Sequence, residues 1–205
     1  MIVGIDMGGT NIDGVLIEDG RIINSIKNPT NKDNLFSTIY SALTELLDGY
    51  DKSKIKRINL STTVSTNAIV EKKTSPVGMI IEPGPGAPYD NLACGEANAF
   101  LSGYIDHRGN VIEKLDYFEI EEICRKFKRQ GMEACGVVSK FSTRNPQHEI
   151  SIMEAIKDSF FPITMGHTMS GKLNFPRRVF TSYLNSAVYS TFNKFSTNIK
   201  KSLEQ

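Results

Sequence analysis

The 205-residue sequence has no long apolar run, almost no net charge and few cysteines, and each shortage excludes something. No stretch approaches the roughly 20 apolar residues that a membrane-spanning helix needs, so no membrane partner is expected. Lysine and arginine number 24 against 23 aspartate and glutamate, a net charge of +1. That balance leaves no electrostatic footprint for DNA, RNA or an anionic bilayer. Cys94, Cys124 and Cys135 are odd in number, widely spaced and without a Cys-x-x-Cys pair. They read as reduced, mostly buried thiols of a soluble cytoplasmic protein. His107, His148 and His167 are scattered too, which argues against a zinc site. The amino terminus enters an apolar strand directly, with no basic segment or cleavage site, so no signal peptide is expected. Gly-x-x-x-x-Gly-Lys-Ser/Thr occurs nowhere, which excludes a Walker loop. Neither an internal repeat nor a low-complexity tract is present.

What the chain does have lies at its start. Ile2-Val3-Gly4-Ile5-Asp6 is an apolar run ending in an acid, Gly8-Gly9-Thr10 follows, and a second apolar run begins at once. Two strands joined by so tight a turn make a hairpin. Glycine lets the backbone approach a ligand closely, and the turn N–H groups with the Thr10 hydroxyl can donate to phosphate oxygens. Asp6, at the strand end, can hold Mg²⁺ through water. The segment resembles the phosphate hairpin of actin-like, sugar-kinase and Hsp70-type ATPases.

Residues 2–7, 12–18 and 21–27 read as strands, with Glu18-Asp19-Gly20 as a second turn. Leu35, Ile39, Leu43, Leu46 and Leu47 recur at helical spacing and predict a helix near 33–48 facing a sheet. A strand at Ile55–Leu60, a helix near 66–73 and a strand at Val77–Ile81 complete the order β-β-β-α-β-α-β. Glu82 to Tyr89 is a loop by its prolines and glycines. Beyond it lie a hairpin at 98–115 turning at His107-Arg108-Gly109-Asn110, a helix at 118–130, a strand at 134–139 and a helix after Asn145-Pro146. Residues 163–176 read as irregular. From Arg177 onward, Phe180, Leu184, Val188, Phe192, Phe195 and Ile199 form one stripe on a helix of about 25 residues, roughly 37 Å long.

A second polar cluster, Ser61-Thr62-Thr63-Val64-Ser65-Thr66-Asn67, stands where a strand gives way to a helix. Hydroxyls and helix N–H groups pointing one way make an anion site; capping explains one of these residues but not five. Thr62, Thr63 and Asn67 are expected to face Asp6 across one cleft. Asn145-Pro146-Gln147-His148-Glu149 admits a catalytic His–Glu pair but reads better as a helix start, with Asn as cap, Pro at the first helical position and an acid in the first turn. Arg177-Arg178 is either an anion clamp or a solvated helix start. Glu71 is either a base near the phosphate site or a surface position, and Tyr89 and Asp90 are candidate substrate contacts.

In order, Asp6–Asp13, Thr62–Glu71, Gly109 with Leu115-Asp116, Asn145–Glu149 and Leu184-Asn185 resemble motifs of the hydantoinase A / 5-oxoprolinase family. The resemblance spans nearly the whole chain. It implies an α/β, actin-like (ribonuclease H-like) ATPase lobe with a mixed central sheet over 1–162, carrying the 98–115 hairpin, and a connector and crossing helix over 163–205 toward an absent second lobe. It further implies ATP and Mg²⁺ as cofactors and a small cyclic amide as substrate, with phosphoryl transfer activating its carbonyl carbon. By matching position, Asp6 and Asp13 would organise Mg²⁺ and water. Gly8, Gly9, Thr10 and Asn11 would hold phosphate, and Thr62, Thr63, Thr66 and Asn67 would line the far side.

Two departures put the substrate in question: Pro83 to Asp90 replaces a Gly-Phe-x-Asp segment, and Leu173 to Arg178 replaces Glu-Tyr-Glu-Arg. Members of the family also run on well past residue 205. The expectation is therefore an N-terminal part of an ATP-dependent cyclic amide hydrolase, inactive by itself and associating through its last helix with itself or a partner subunit. A small-molecule kinase, with Glu71 as base, and a non-catalytic nucleotide-binding or assembly subunit are the alternatives.

Overall fold

Alternation of apolar residues at the amino terminus builds the first sheet. β1 (Ile2–Met7), β2 (Asn11–Glu18) and β3 (Arg21–Pro29) form consecutive hairpins, and β4 (Arg57–Thr62) adds parallel to β1, giving the order β3-β2-β1-β4. A computed structural model describes residues 1–31, 34–87 and 89–203. They fall into two units, Met1–Lys73 with Thr191–Gln205, and Thr74–Ser190. The β2–β3 turn places Asp19 and Gly20 at φ 49° and 77°, the twist a two-residue hairpin needs.

In the first unit, Val3, Ile5, Met7, Ile12 and Leu16 are buried together with Ile39, Ala42, Leu43 and Leu46 of α1 (Leu35–Leu46). This is the stripe that periodicity predicts, and Asn34 caps the helix by accepting from the Ser37 N–H. The expected start at residue 33 lies outside the described residues. A seven-residue helix, α2 (Val64–Val70), follows β4, beginning and ending earlier than the predicted 66–73. Phe195 and Ile199, from the end of the last helix, complete this core.

The second unit holds a parallel sheet. β5 (Val77–Glu82), β6 (Ala97–Phe100), β9 (Ala134–Ser139) and β10 (Ile163–Met165) run in the order β10-β9-β5-β6. β7 (Tyr104–Ile105) and β8 (Val111–Glu113) form a separate two-stranded hairpin. Ile80, Cys135 and Val137 share a core with Ile120, Ile123 and Phe127 of α3 (Tyr117–Arg129) and Ile152 and Ile156 of α4 (Gln147–Ile156). Met79, Ile81, Ala134 and Val138 share the other core with Val179 and Ala187 of α6 (Phe175–Leu203). Burial on both faces is why β5 and β9 read as continuous apolar runs. Gly78 is required here, since a Cβ would stand 2.3 Å from the Phe127 ring.

Several expectations change. The strand 77–82 leaves the first sheet for the second, so the order β-β-β-α-β-α-β is divided between two sheets rather than sharing one. The units divide at 73/74 and 190/191, whereas the sequence reading draws its boundary at 162/163. Residues 97–100 pair with β5, which confines the expected 98–115 hairpin to 104–113. The supposedly irregular 163–176 contains β10 and α5 (Gly166–Met169), pieces too short for any periodicity to show. On α6, Phe195 and Ile199 are buried, but Phe180, Leu184 and Phe192 are exposed. Ser182, Ser186 and Ala187 turn inward instead, because small residues let the helix come close to Gly136 of β9. Among the described residues no helix is long and apolar enough to cross a membrane.

Candidate functional site

β1 and β4 are parallel and in register, Met7 opposite Thr62, so the Gly8-Gly9-Thr10 turn and the Thr62–Asn67 segment leave the same edge of one sheet. The turn closes through a Gly8 N–H bond to the Asn11 carbonyl at 2.9 Å, and a Cβ on Gly8 would stand 3.2 Å from that oxygen. Thr30 braces it, donating through Oγ1 to the Gly8 carbonyl and through its N–H to the Thr10 carbonyl. The Gly9 and Thr10 N–H groups have no acceptor among the described residues. Two unspent donors at a glycine turn suit an anion.

Gly8 and Gly9 line a cavity of about 280 Å³ with Thr30, Thr62, Asn67 and Glu71. The Thr62 hydroxyl donates to the Met7 carbonyl and accepts from the Val64 N–H, so it fastens β4 to β1 and has no proton left for a ligand. Thr63 accepts from the Asn67 side-chain amide at 3.2 Å. Thr10, Thr63 and Thr66 are exposed and do not line this cavity, nor does Asn11. Lys73, which sequence reasoning missed, lines it and pairs with Glu71 at 2.7 Å. Lys72 between them adopts φ 55°, unusual for a residue with a Cβ, and the Lys73 N–H closes the turn on the Ala68 carbonyl.

Asp6 stands elsewhere. It is opposite Asp13 on β2 and Ser61 on β4, and alternation carries the three side chains to the sheet face away from α1. There Asp6 and Asp13 line a separate shallow cavity with Asn59 and Ser61. The single cleft expected to join Asp6 to Thr62, Thr63 and Asn67 is thus two, because residues 6 and 7 of a strand point to opposite faces. Lys27 reaches Asp13 at 3.3 Å with both groups about half exposed or more, a pair worth under about 1 kcal/mol. Among the described residues no group of three or more His, Cys, Asp or Glu is poised to hold a metal. Two adjacent carboxylates nonetheless fit Mg²⁺, which usually takes one or two and completes its shell with water and phosphate oxygens.

The second unit carries a buried polar cluster that sequence reasoning set aside. His148 Nδ1 pairs with Glu82, both nearly fully buried. Glu149, fully buried, accepts from the Ser139 N–H at 2.8 Å and the His167 N–H at 2.8 Å, and meets His167 Nδ1 at 2.6 Å. Asn145 does start the helix, accepting from the Gln147 N–H, but Pro146 occupies the cap position and His148 and Glu149 point inward. Arg178 is 1 % exposed and donates to the Ser139, Lys140 and Lys172 carbonyls, so it is neither clamp nor solvated start. Burial lowers its affinity for the proton and the Glu149 charge opposes that effect. An acid closing an otherwise apolar strand run, Ile80-Ile81-Glu82, was the available signal. Tyr89 stacks on Phe100, Asp90 is exposed, and Pro88 of the same loop lies outside the described residues.

These features define an α/β protein in which a glycine hairpin and a parallel neighbouring strand open at one sheet edge. The chain belongs to the hydantoinase/oxoprolinase family: the model of that family's N-terminal region matches residues 2–160. It is 24 % identical over 226 residues to the acetophenone carboxylase gamma subunit of Aromatoleum aromaticum, covering 90 % of this chain and 30 % of that protein. To the caprolactamase subunit alpha of Pseudomonas jessenii it is 23 % identical over 233 residues, covering 99 % and 33 %. The chain therefore spans about a third of the length of these relatives. Among solved structures it is similar to nucleotide-free acetone carboxylase, an enzyme of ATP-dependent acetone carboxylation (TM-score 0.79, 17 % identity, 98 % of this chain and 34 % of that one). It is also similar to the ATP-dependent caprolactamase of P. jessenii (TM-score 0.73, 20 % identity, 98 % and 33 %). These two likenesses are of fold.

Proposed function

We propose that the chain is the ATP- and phosphate-binding N-terminal part of an ATP-dependent amide hydrolase acting on a cyclic amide, built on an actin-like lobe. The observation that carries this reading is the Gly8–Asn11 turn, with its unspent Gly9 and Thr10 N–H groups, set beside the end of a parallel strand. Family membership and the ATP-dependent caprolactamase among its relatives support it. Gly9 and Thr10 donate to phosphate oxygens, while Gly8, Asn11 and Thr30 hold the turn in shape. Asp6 and Asp13, on the other face of the same strand ends, would hold Mg²⁺ through water. Thr62 braces the strand end, and Asn67 of α2, held to the exposed Thr63, borders the site from the neighbouring segment. Bound MgATP would supply a phosphoryl group to the amide oxygen, leaving ADP and a carbon open to water; the protein's part is mostly positioning and charge stabilisation.

A small-molecule kinase is the second reading, favoured by Glu71, a carboxylate base lining the Gly8–Gly9 cavity. The relatives are named as subunits, which supports work with a partner subunit and turnover by a larger assembly rather than by these 205 residues alone. Isothermal titration with ATP, with and without Mg²⁺, tests the reading: Mg²⁺-dependent binding supports it, and no binding of any adenine nucleotide overturns it.

A further inference from the structure

The second unit devotes a fully buried carboxylate to one imidazole. Both Glu149 oxygens are spent, on the Ser139 N–H and on the backbone N–H and Nδ1 of His167. Gly166 makes this possible: a Cβ there would stand 2.9 Å from Glu149 Oε1 and 2.5 Å from Val138 Cγ1. Assigned from that hydrogen bond, the proton sits on Nδ1 and the lone pair on Nε2. The His167 side chain is 21 % exposed while Glu149 is covered, and Nε2 has no partner among the described residues.

Joining the end of β9 to the start of α5 needs only backbone N–H groups, which any residue at 167 supplies, so the join does not call for an imidazole. Polar atoms without partners border the same place. Ser139 Oγ and Arg178 Nε are buried and unpaired, and Arg178 Nη2 donates to the Ser139 carbonyl. Buried atoms of this kind are rare and point to water or a ligand group that meets them. The carboxyl ends of parallel strands are also where open α/β sheets receive ligands.

We propose that His167 is an acid–base residue of the second unit, with Glu149 as its positioning partner and a small amide or ester as its ligand class. Nε2 takes the proton of a water whose oxygen bonds to the carbonyl carbon, while Nδ1–H stays on Glu149; the imidazolium then returns the proton to the departing amine or alkoxide. The charged and titratable groups around the dyad are Arg178 from α6 and the Glu82–His148 pair at the end of β5.

The three histidines make the test internal: His107 is exposed, His148 is buried and His167 is the oriented one. The full chain is treated with diethyl pyrocarbonate and each site is followed by mass spectrometry. The Nε2 lone pair bonds to the reagent's carbonyl carbon with release of ethanol and carbon dioxide, and the Nδ1 proton leaves by way of Glu149. Exposure alone ranks His107 ahead of His167; the proposal ranks His167 first. Glu149→Gln keeps the size but removes the charge, and slows His167 about 10-fold, the lower end of what losing such an outer partner costs, with His107 unchanged. Should Glu149→Gln lose its native circular dichroism, the wild-type ranking decides alone. Slower modification of His167 than of His107 in the wild type, or an unchanged His167 rate in a folded Glu149→Gln, overturns the proposal.

Discussion

Replacing Glu149 with alanine takes the acceptor from two backbone N–H groups at once. The carboxylate accepts from the buried Ser139 N–H and the part-buried His167 N–H, each at 2.8 Å. Alanine leaves both donors unmet. A buried donor without acceptor costs about 1–3 kcal/mol, and the second, partly wetted one falls at the low end. The vacated side-chain volume beside Gly166 adds about 1 kcal/mol for the lost methylene. The imidazole is counted at nothing, because its ring reaches water. The sum is about 4 kcal/mol, a large part of the 5–15 kcal/mol that holds a typical domain together. At roughly 2–4 °C per kcal/mol for a chain of this size, the melting temperature falls by about 8–16 °C. Urea unfolding followed by circular dichroism gives the free energy, and hydrogen exchange gives the place: the Ser139 and His167 amides lose protection while β1–β4 keep theirs. A loss under 1 kcal/mol with both amides still protected would refute the claim that Glu149 joins β9 to α5.

Asp6→Ala is expected to abolish the Mg²⁺ dependence of ATP binding and leave the circular dichroism spectrum intact, since the side chain is exposed and outside the core; Mg²⁺ dependence at wild-type strength counts against the metal assignment. Cys94 is held as a thiol by burial and by neighbouring Glu96, its pKa pushed up to about 11, and burial raises Cys135 as well. The reactive thiolate therefore appears only as pH climbs toward 11. At pH 8, about one Cys94 in a thousand is ionised, so native chain reacts slowly with Ellman's reagent at these two sites and fully once unfolded. Phe180 and Leu184 are exposed one turn apart on α6, and we propose that copies of the chain associate through them. Sedimentation should show concentration-dependent association that Leu184→Lys abolishes; a monomer at all concentrations contradicts the proposal.

Much of the first unit was legible in the sequence, because its devices are local. The β1–β2 and β2–β3 turns are written in glycines, and α1 in the 3.6-residue recurrence of Ile39, Leu43 and Leu46. Sheet membership was not: Val77–Ile81 reads as a strand, but which sheet it joins depends on β9, more than 50 residues later in the chain. The candidate site followed the same rule. Gly8, Gly9 and Thr62 gather at one edge because β1 and β4 are parallel neighbours, while Asp6 turns to the other face by the two-residue period of a strand. His148 and Glu149 carried a valid helix-start pattern, and their real partners, Glu82 and His167, lie 66 and 18 residues away. Lys73 gave no signal, since the turn that aims it depends on a lysine at positive φ, where glycine is the expected residue.

Phosphate binding by the Gly8-Gly9-Thr10 turn is measured by titrating ATP with Mg²⁺ into the wild-type chain and into Gly9→Val. A branched Cβ at residue 9 blocks a phosphate that approaches the turn's N–H groups. Saturable wild-type binding is expected, weakening at least about 10-fold, a cost near 1.4 kcal/mol, in Gly9→Val with the fold unchanged. Equal affinity of the two proteins for MgATP would contradict it.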